Sequence, residues 1–171
     1  SEAFHTLFAN IRFNWGSDTS EQSHVHTLLL TTPSDCAEQA TIAANLAIVA
    51  AQSGTTTILV DADLRTPGLQ QRFGLKGDAG FSDLLTETSI TRQKVVDHLQ
   101  STFISGLRVL GAGTSTAQGT TLLLSPKLEE CMYSIRQVLI EAENTPGIVI
   151  YHSPPVLAGA DASLLGALVE Q

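Results

Sequence analysis

Four apolar runs of strand length punctuate this chain, at residues 27–32 (TLLLTT), 56–61 (TTILVD), 107–110 (LRVL) and 148–152 (IVIYH), and the stretches between them are long enough to hold helices. Runs that are apolar throughout, instead of alternating with polar residues, belong to strands covered on both faces. Strand-length runs that alternate with helix-length stretches are the pattern of βαβ crossovers, whose strands lie parallel. The spacing therefore predicts an α/β fold of three layers, a mostly parallel central sheet with helices on both faces. Helical spacing is clearest at 38–53, at 120–143 with a break at Pro126, and at 159–169; shorter helices fit 81–86 and 92–99. Residues 1–13 place Phe4, Leu7, Phe8 and Ile11 on one stripe, as in a helix docked on the rest of the protein. Residues 14–24 (NWGSDTSEQSH) read as a polar linker into a sheet-and-helix body at 25–171, and 171 residues is the size of a single domain. Charged residues make up 15% of the chain against a usual ~25%, which suits a large interior.

Charge narrows the function classes. Seventeen acidic residues against 9 basic ones give a formal charge of -8 with no basic cluster, so a nucleic-acid partner is not expected, because such affinity comes from Lys and Arg neutralising phosphates. Cys36 and Cys131 stand far apart and outside any CxxC or Cys/His cluster, which argues against zinc and for a reduced, intracellular setting. No stretch approaches the ~20 apolar residues that cross a bilayer, and the opening Ser-Glu-Ala-Phe-His has no basic-then-apolar leader. His5, His24, His26 and His98 each lack a partner at ligand spacing and read as solvated or capping residues.

The turn from a first strand into a helix is where α/β proteins bind phosphates, through helix N-terminal N–H groups and glycine-opened backbone. Here that turn and helix run TTPSDCAEQATIAANLA, residues 31–47. Taken together with VDADLRTP (60–67), GFSDLL (80–85) and SPPVLAGADA (153–162), the segment resembles the cytoplasmic domain of bacterial tyrosine kinases, the BY-kinases. The resemblance extends over essentially the whole chain in motif order and spacing. It implies a P-loop-NTPase-like fold related to the deviant Walker A and partition ATPases, and a place in capsular and exopolysaccharide synthesis and export.

Against that pattern, the chemistry departs at several positions. The family's Gly-Lys-Ser/Thr core falls, by the resemblance, on Glu38, Gln39 and Ala40, followed by Thr41, and residues 34–41 hold no glycine. A loop without glycine cannot easily take the positive-φ conformations and close approach that a phosphate cradle needs. A carboxylate at Glu38 would also repel phosphates by about 1 kcal/mol at ~4 Å in water, and by several times that in a protein site. Asp35 with Glu38 three residues later also fits a capping box that closes the helix with its own anion. Asp61, Asp63 and Arg65 match the family's Asp-x-Asp-x-Arg segment, whose aspartates position magnesium and the reacting phosphate; the plain alternative is that Asp63 and Arg65 cap the next turn and pair with each other. Where the family ends a later strand in Asp-Thr-Pro-Pro, this chain reads His152-Ser153-Pro154-Pro155. Imidazole is a poor partner for magnesium, which prefers oxygen, and His152 with Asp61 gives two ligands of a transition-metal site without a third. The family's inter-subunit Glu-x-x-Arg-x-x-Arg pattern reads Glu2, His5 and Phe8, which speaks against a ring built that way and for Phe8 buried against the body.

The reading that follows is a catalytically inactive BY-kinase-like cytoplasmic domain. It acts as scaffold or regulator in capsular, exopolysaccharide or lipopolysaccharide biosynthesis and chain-length control, through protein partners of the export complex or as a homo-oligomer. No catalytic, cofactor-binding or metal residue is expected to work, and no cofactor is expected. The first alternative is an active tyrosine kinase or ATPase using ATP and magnesium through Asp61, Asp63 and Arg65; the second is a partition-ATPase-like positioning adaptor. By resemblance the location is the cytoplasmic face of the bacterial inner membrane, with membrane contact through regions outside this chain. By the resemblance the family continues past the position of Gln171 with another strand and helices, so either the chain is cut there or the natural domain ends short; with a cut, a partner copy or the N-terminal helix is expected to cover the open sheet edge.

Overall fold

The computed structural model describes residues 1–15, 24–34, 36–114, 118–142, 145–155 and 161–169. Five strands form one sheet in the order β1-β5-β2-β4-β3. They are β1 (Val25–Leu30), β2 (Thr56–Asp61), β3 (Gln100–Ser101), β4 (Leu107–Leu110) and β5 (Gly147–His152). β1, β5, β2 and β4 run parallel, and the two-residue β3 pairs antiparallel with β4. The helices are α1 (Glu2–Trp15), α2 (Gln39–Gln52), α3 (Leu69–Arg72), α4 (Phe81–Thr86), α5 (Arg92–His98), α6 (Gly119–Leu123), α7 (Lys127–Ile140) and α8 (Asp161–Val169). The α/β class and mostly parallel sheet expected from the sequence are what the structure has.

Successive side chains of a strand point to opposite faces, and here both faces are apolar. In β2 and β5, Leu59, Ile148 and Ile150 join Ala43, Leu46, Ala47 and Ala50 of α2 and Phe8 of α1 in one buried cluster. Ile58, Val60, Val149 and Tyr151 join Phe81, Leu84, Val95, Leu128, Cys131 and Ile135 in the other. Those two clusters make the three layers, with α1 to α3 contributing to one side and α4 to α8 to the other. In α2, alanine supplies high helix propensity and leaves no bulk between helix and sheet; Ala43, Ala47 and Ala50 are fully buried. The helix stops at Gly54, whose φ of +83° is the left-handed turn that favours glycine after a helix end.

Boundaries shift in a few places. Helix α1 runs on through Trp15, two residues past the predicted end, because Trp15 stacks on His26 of β1 at 4.1 Å and packs edge-on against Phe8. Phe8 is 2% exposed, so the burial predicted for it holds. The helix lies against α2, and its Trp15 reaches His26 of the edge strand β1. The stretch predicted at 120–143 is two helices broken at Pro126, as its ring requires. Two elements were absent from the sequence reading, α3 and β3; at four and two residues they are too short to carry a periodicity. Residues 16–23 of the predicted linker lie outside the described residues, as does the start of the helix predicted at 159.

Candidate functional site

The carboxyl ends of β1, β2 and β5 open, with the first turn of α2, onto a cleft of about 720 Å³. This is where an open α/β sheet places its ligands. Cys36, Ala37, Gln39 and Ala40 line it from the α2 side, Asp63, Thr66 and Gly68 from the turn after β2, Gln71 and Arg72 from α3, and His152 and Pro155 from the end of β5. Topology thus brings Gln39, Asp63 and His152, read from separate motifs, to one cleft.

Gln39, which by the resemblance falls where the BY-kinases have a lysine, is buried at 6% exposure. Its Nε2 donates to the Ser153 carbonyl at 2.7 Å, with the Leu30 carbonyl at 3.5 Å. Its Oε1 lies 3.0 Å from the Thr32 hydroxyl, whose proton is shared with the Ser34 carbonyl at 2.8 Å. The amide therefore ties the end of β1 to the end of β5 across the turn. Ser153 strengthens the same seam through its own N–H and hydroxyl, both donated to the Leu30 carbonyl.

Asp61 is fully buried and bonded on both oxygens. Oδ2 accepts the N–H groups of Gly68 and Leu69 at 3.1 Å each, closing the start of α3. Oδ1 lies 3.3 Å from Nδ1 of His152, which is 3% exposed. A carboxylate only accepts, and the Nδ1-protonated tautomer of His152 makes this contact a hydrogen bond. Asp63 also caps a turn: Oδ1 accepts from the N–H groups of Arg65 and Thr66, and Oδ2 from the Thr66 hydroxyl at 2.8 Å. Turn capping by Asp63, one of the two sequence readings, is present; Arg65 contributes its backbone N–H and has an exposed side chain.

The capping box expected at the start of α2 pairs Glu38 with Asp35, which falls outside the described residues. Helix α2 starts at Gln39, and Glu38 is the residue before it, with no side-chain capping bond. Glu38 is exposed and is not among the residues that line the cleft. The group that fills the phosphate side is Gln39. Ala40 lines the cleft with a methyl group, and Thr41 lies one residue further along α2. Sequence reasoning missed Thr32, Thr66 and Ser153, whose hydroxyls complete these bonds; Thr66 follows Asp63 at the three-residue spacing of a capped turn, a signal that was there to be read. Among the described residues no group of three or more His, Cys, Asp and Glu side chains could hold a metal ion.

The residues present do not fit a magnesium nucleotide. Magnesium needs near-octahedral oxygen ligation, whereas here a ring nitrogen takes one carboxylate's place and the remaining carboxylates are bonded to backbone and imidazole. The phosphate cradle needs a free cation at the lysine position and an open backbone, whereas Gln39 is neutral and occupied.

No family profile matches the chain. Over 170 residues it is 32% identical to the tyrosine-protein kinase YwqD of Bacillus subtilis (strain 168), covering 99% of this chain and 65% of YwqD. It is 30% identical over 142 residues to a candidate tyrosine-protein kinase in the cps region of Klebsiella pneumoniae, 83% of this chain but 18% of that protein. Among solved structures, the chimerical protein CapA2B2 superposes with a TM-score of 0.77 at 32% identity, covering 99% of this chain and 67% of that one. The VpsO kinase domain gives the same TM-score at 27% identity. The cell division ATPase MinD of Pyrococcus furiosus, at TM-score 0.60 and 22% identity, shares the P-loop-NTPase-like fold. With near-complete coverage of this chain, its motif order and the same sheet, the chain belongs to the bacterial tyrosine kinase (BY-kinase) family.

Proposed function

We propose that this chain is a catalytically inactive BY-kinase domain that works as a scaffold or regulator in capsular or exopolysaccharide synthesis and export. The observation that carries the reading is Gln39: the residue at the lysine position spends its amide on the protein's own β1 and β5 ends. His152 in place of a carboxylate, and Asp61 and Asp63 bonded on both oxygens, support it at the metal side. Phosphoryl transfer is mostly positioning and charge neutralisation, and these substitutions remove both. The relative in a cps region supports the polysaccharide setting. Such a domain acts through protein contacts, with partners of the synthesis and export machinery or other copies of itself, and in chain-length control. Its place is the cytoplasmic face of the inner membrane, with membrane contact through segments other than these; among the described residues no helix is long and apolar enough to cross a bilayer.

Turnover tests this reading. Purified protein incubated with MgATP is expected to release phosphate, and to label tyrosine, no faster than a blank, and Asp61→Asn is expected to leave that background unchanged. A rate above the blank that Asp61→Asn abolishes identifies an active enzyme and overturns the proposal.

A further inference from the structure

The loss of the phosphate loop and the presence of His152 are separate obstacles, and the geometry ranks them. Asp61, the carboxylate that the resemblance assigns to magnesium, has Oδ2 held by the Gly68 and Leu69 N–H groups and Oδ1 facing the imidazole at 3.3 Å. Both side chains are nearly inaccessible, 0% and 3% exposed. Releasing Asp61 toward a cation means leaving an imidazole N–H buried without its acceptor, a cost that falls on any bound metal. The phosphate side does not impose this cost, because the hydrogen bonds of the Gln39 amide go to Ser153, Leu30 and Thr32 and not to Asp61.

We infer that His152 is the residue that determines whether this cleft admits a divalent cation, because it holds Asp61, and that repair of the phosphate loop alone leaves the cleft closed to magnesium. This rests on the reading of the cleft as a nonfunctional nucleotide site and extends it by assigning the metal exclusion to one side chain.

Stepwise repair, followed by calorimetric titration with ADP in excess magnesium and again in EDTA, tests the inference. The variants are the loop repair Glu38→Gly/Gln39→Lys/Ala40→Ser alone, the same with His152→Asp, and the same with His152→Ser. The serine version frees Asp61 without placing a second buried carboxylate beside it, so it decides the matter if the aspartate version does not melt cooperatively. The loop repair alone is expected to bind ADP equally in magnesium and in EDTA, or not at all. Either combined variant is expected to bind at least about tenfold more tightly in magnesium than in EDTA, since one well-placed charge-assisted contact is worth that much. The inference is overturned if the loop repair alone already shows the magnesium dependence, or if folded combined variants show none. Magnesium-dependent binding by the unmodified chain is a different outcome and counts against the proposed function itself.

Discussion

At the scale of single residues, the site is a set of polar groups that satisfy one another. Removing one leaves others buried and unpaired, which costs more than the bond itself contributes. Gln39→Ala takes away the donor at 2.7 Å from the Ser153 carbonyl, and is expected to lower stability by about 1–3 kcal/mol in urea unfolding. A loss below a few tenths of a kcal/mol would show that the amide is not needed to hold β1 to β5. Asp83, at the start of α4, offers a pH test. Burial raises its pKa, but the Thr114 hydroxyl and the Gly80 and Thr114 N–H groups outweigh this and hold it below the ordinary carboxylate value. A depressed folded pKa contributes stability that is present above the unfolded pKa and lost as pH falls through the folded one. Asp83→Asn should therefore flatten the acid limb of the stability curve below about pH 4; parallel acid limbs for the two proteins would refute it. The motif residues of the cleft were legible by alignment, but their bonds were not. Gln39 and Ser153 are 114 residues apart and Asp61 and His152 are 91 apart, and no local pattern encodes such a pairing.

At the scale of elements, β2, β4 and β5 were readable to within one residue, because strands buried on both faces must be apolar throughout. Only β1 differs more, running from Val25 to Leu30 where 27–32 was expected: the threonines after Leu30 read as strand but leave the ladder to bond Pro154 and Gln39. Helix α1 was readable from its stripe, and its docking makes a prediction. Phe8 is buried beneath it at 2% exposure and meets Trp15 edge-on at 6.1 Å, while Trp15 stacks on His26. Phe8→Ala is expected to cost about 3–5 kcal/mol and to loosen α1 from α2. Trp15 is the only tryptophan of the chain, so its fluorescence reports the helix directly: a red shift in the variant under native conditions is expected, and an unshifted spectrum with unchanged stability would contradict the docking account. The start of α4 was equally fixed by packing that no periodicity shows. A Cβ at Gly80 would sit 2.2 Å from the Gly111 carbonyl oxygen, so Gly80→Ala should destabilise by roughly 1–3 kcal/mol.

At the scale of the whole molecule, the proposed function separates fold from chemistry. The mostly parallel sheet with helices on both faces is the fold that the apolar pattern predicted. At the cleft the fold presents the amide of Gln39, the imidazole of His152 and the hydrogen-bonded carboxylate of Asp63, with Arg72 of α3 beside them and the buried Asp61 behind His152. The most direct test of this account is calorimetric titration of the unmodified domain with ADP and with a non-hydrolysable ATP analogue, each in excess magnesium. The account predicts no heat beyond dilution for either nucleotide at concentrations up to the millimolar range; saturable micromolar binding would contradict it and return the chain to the active members of its family.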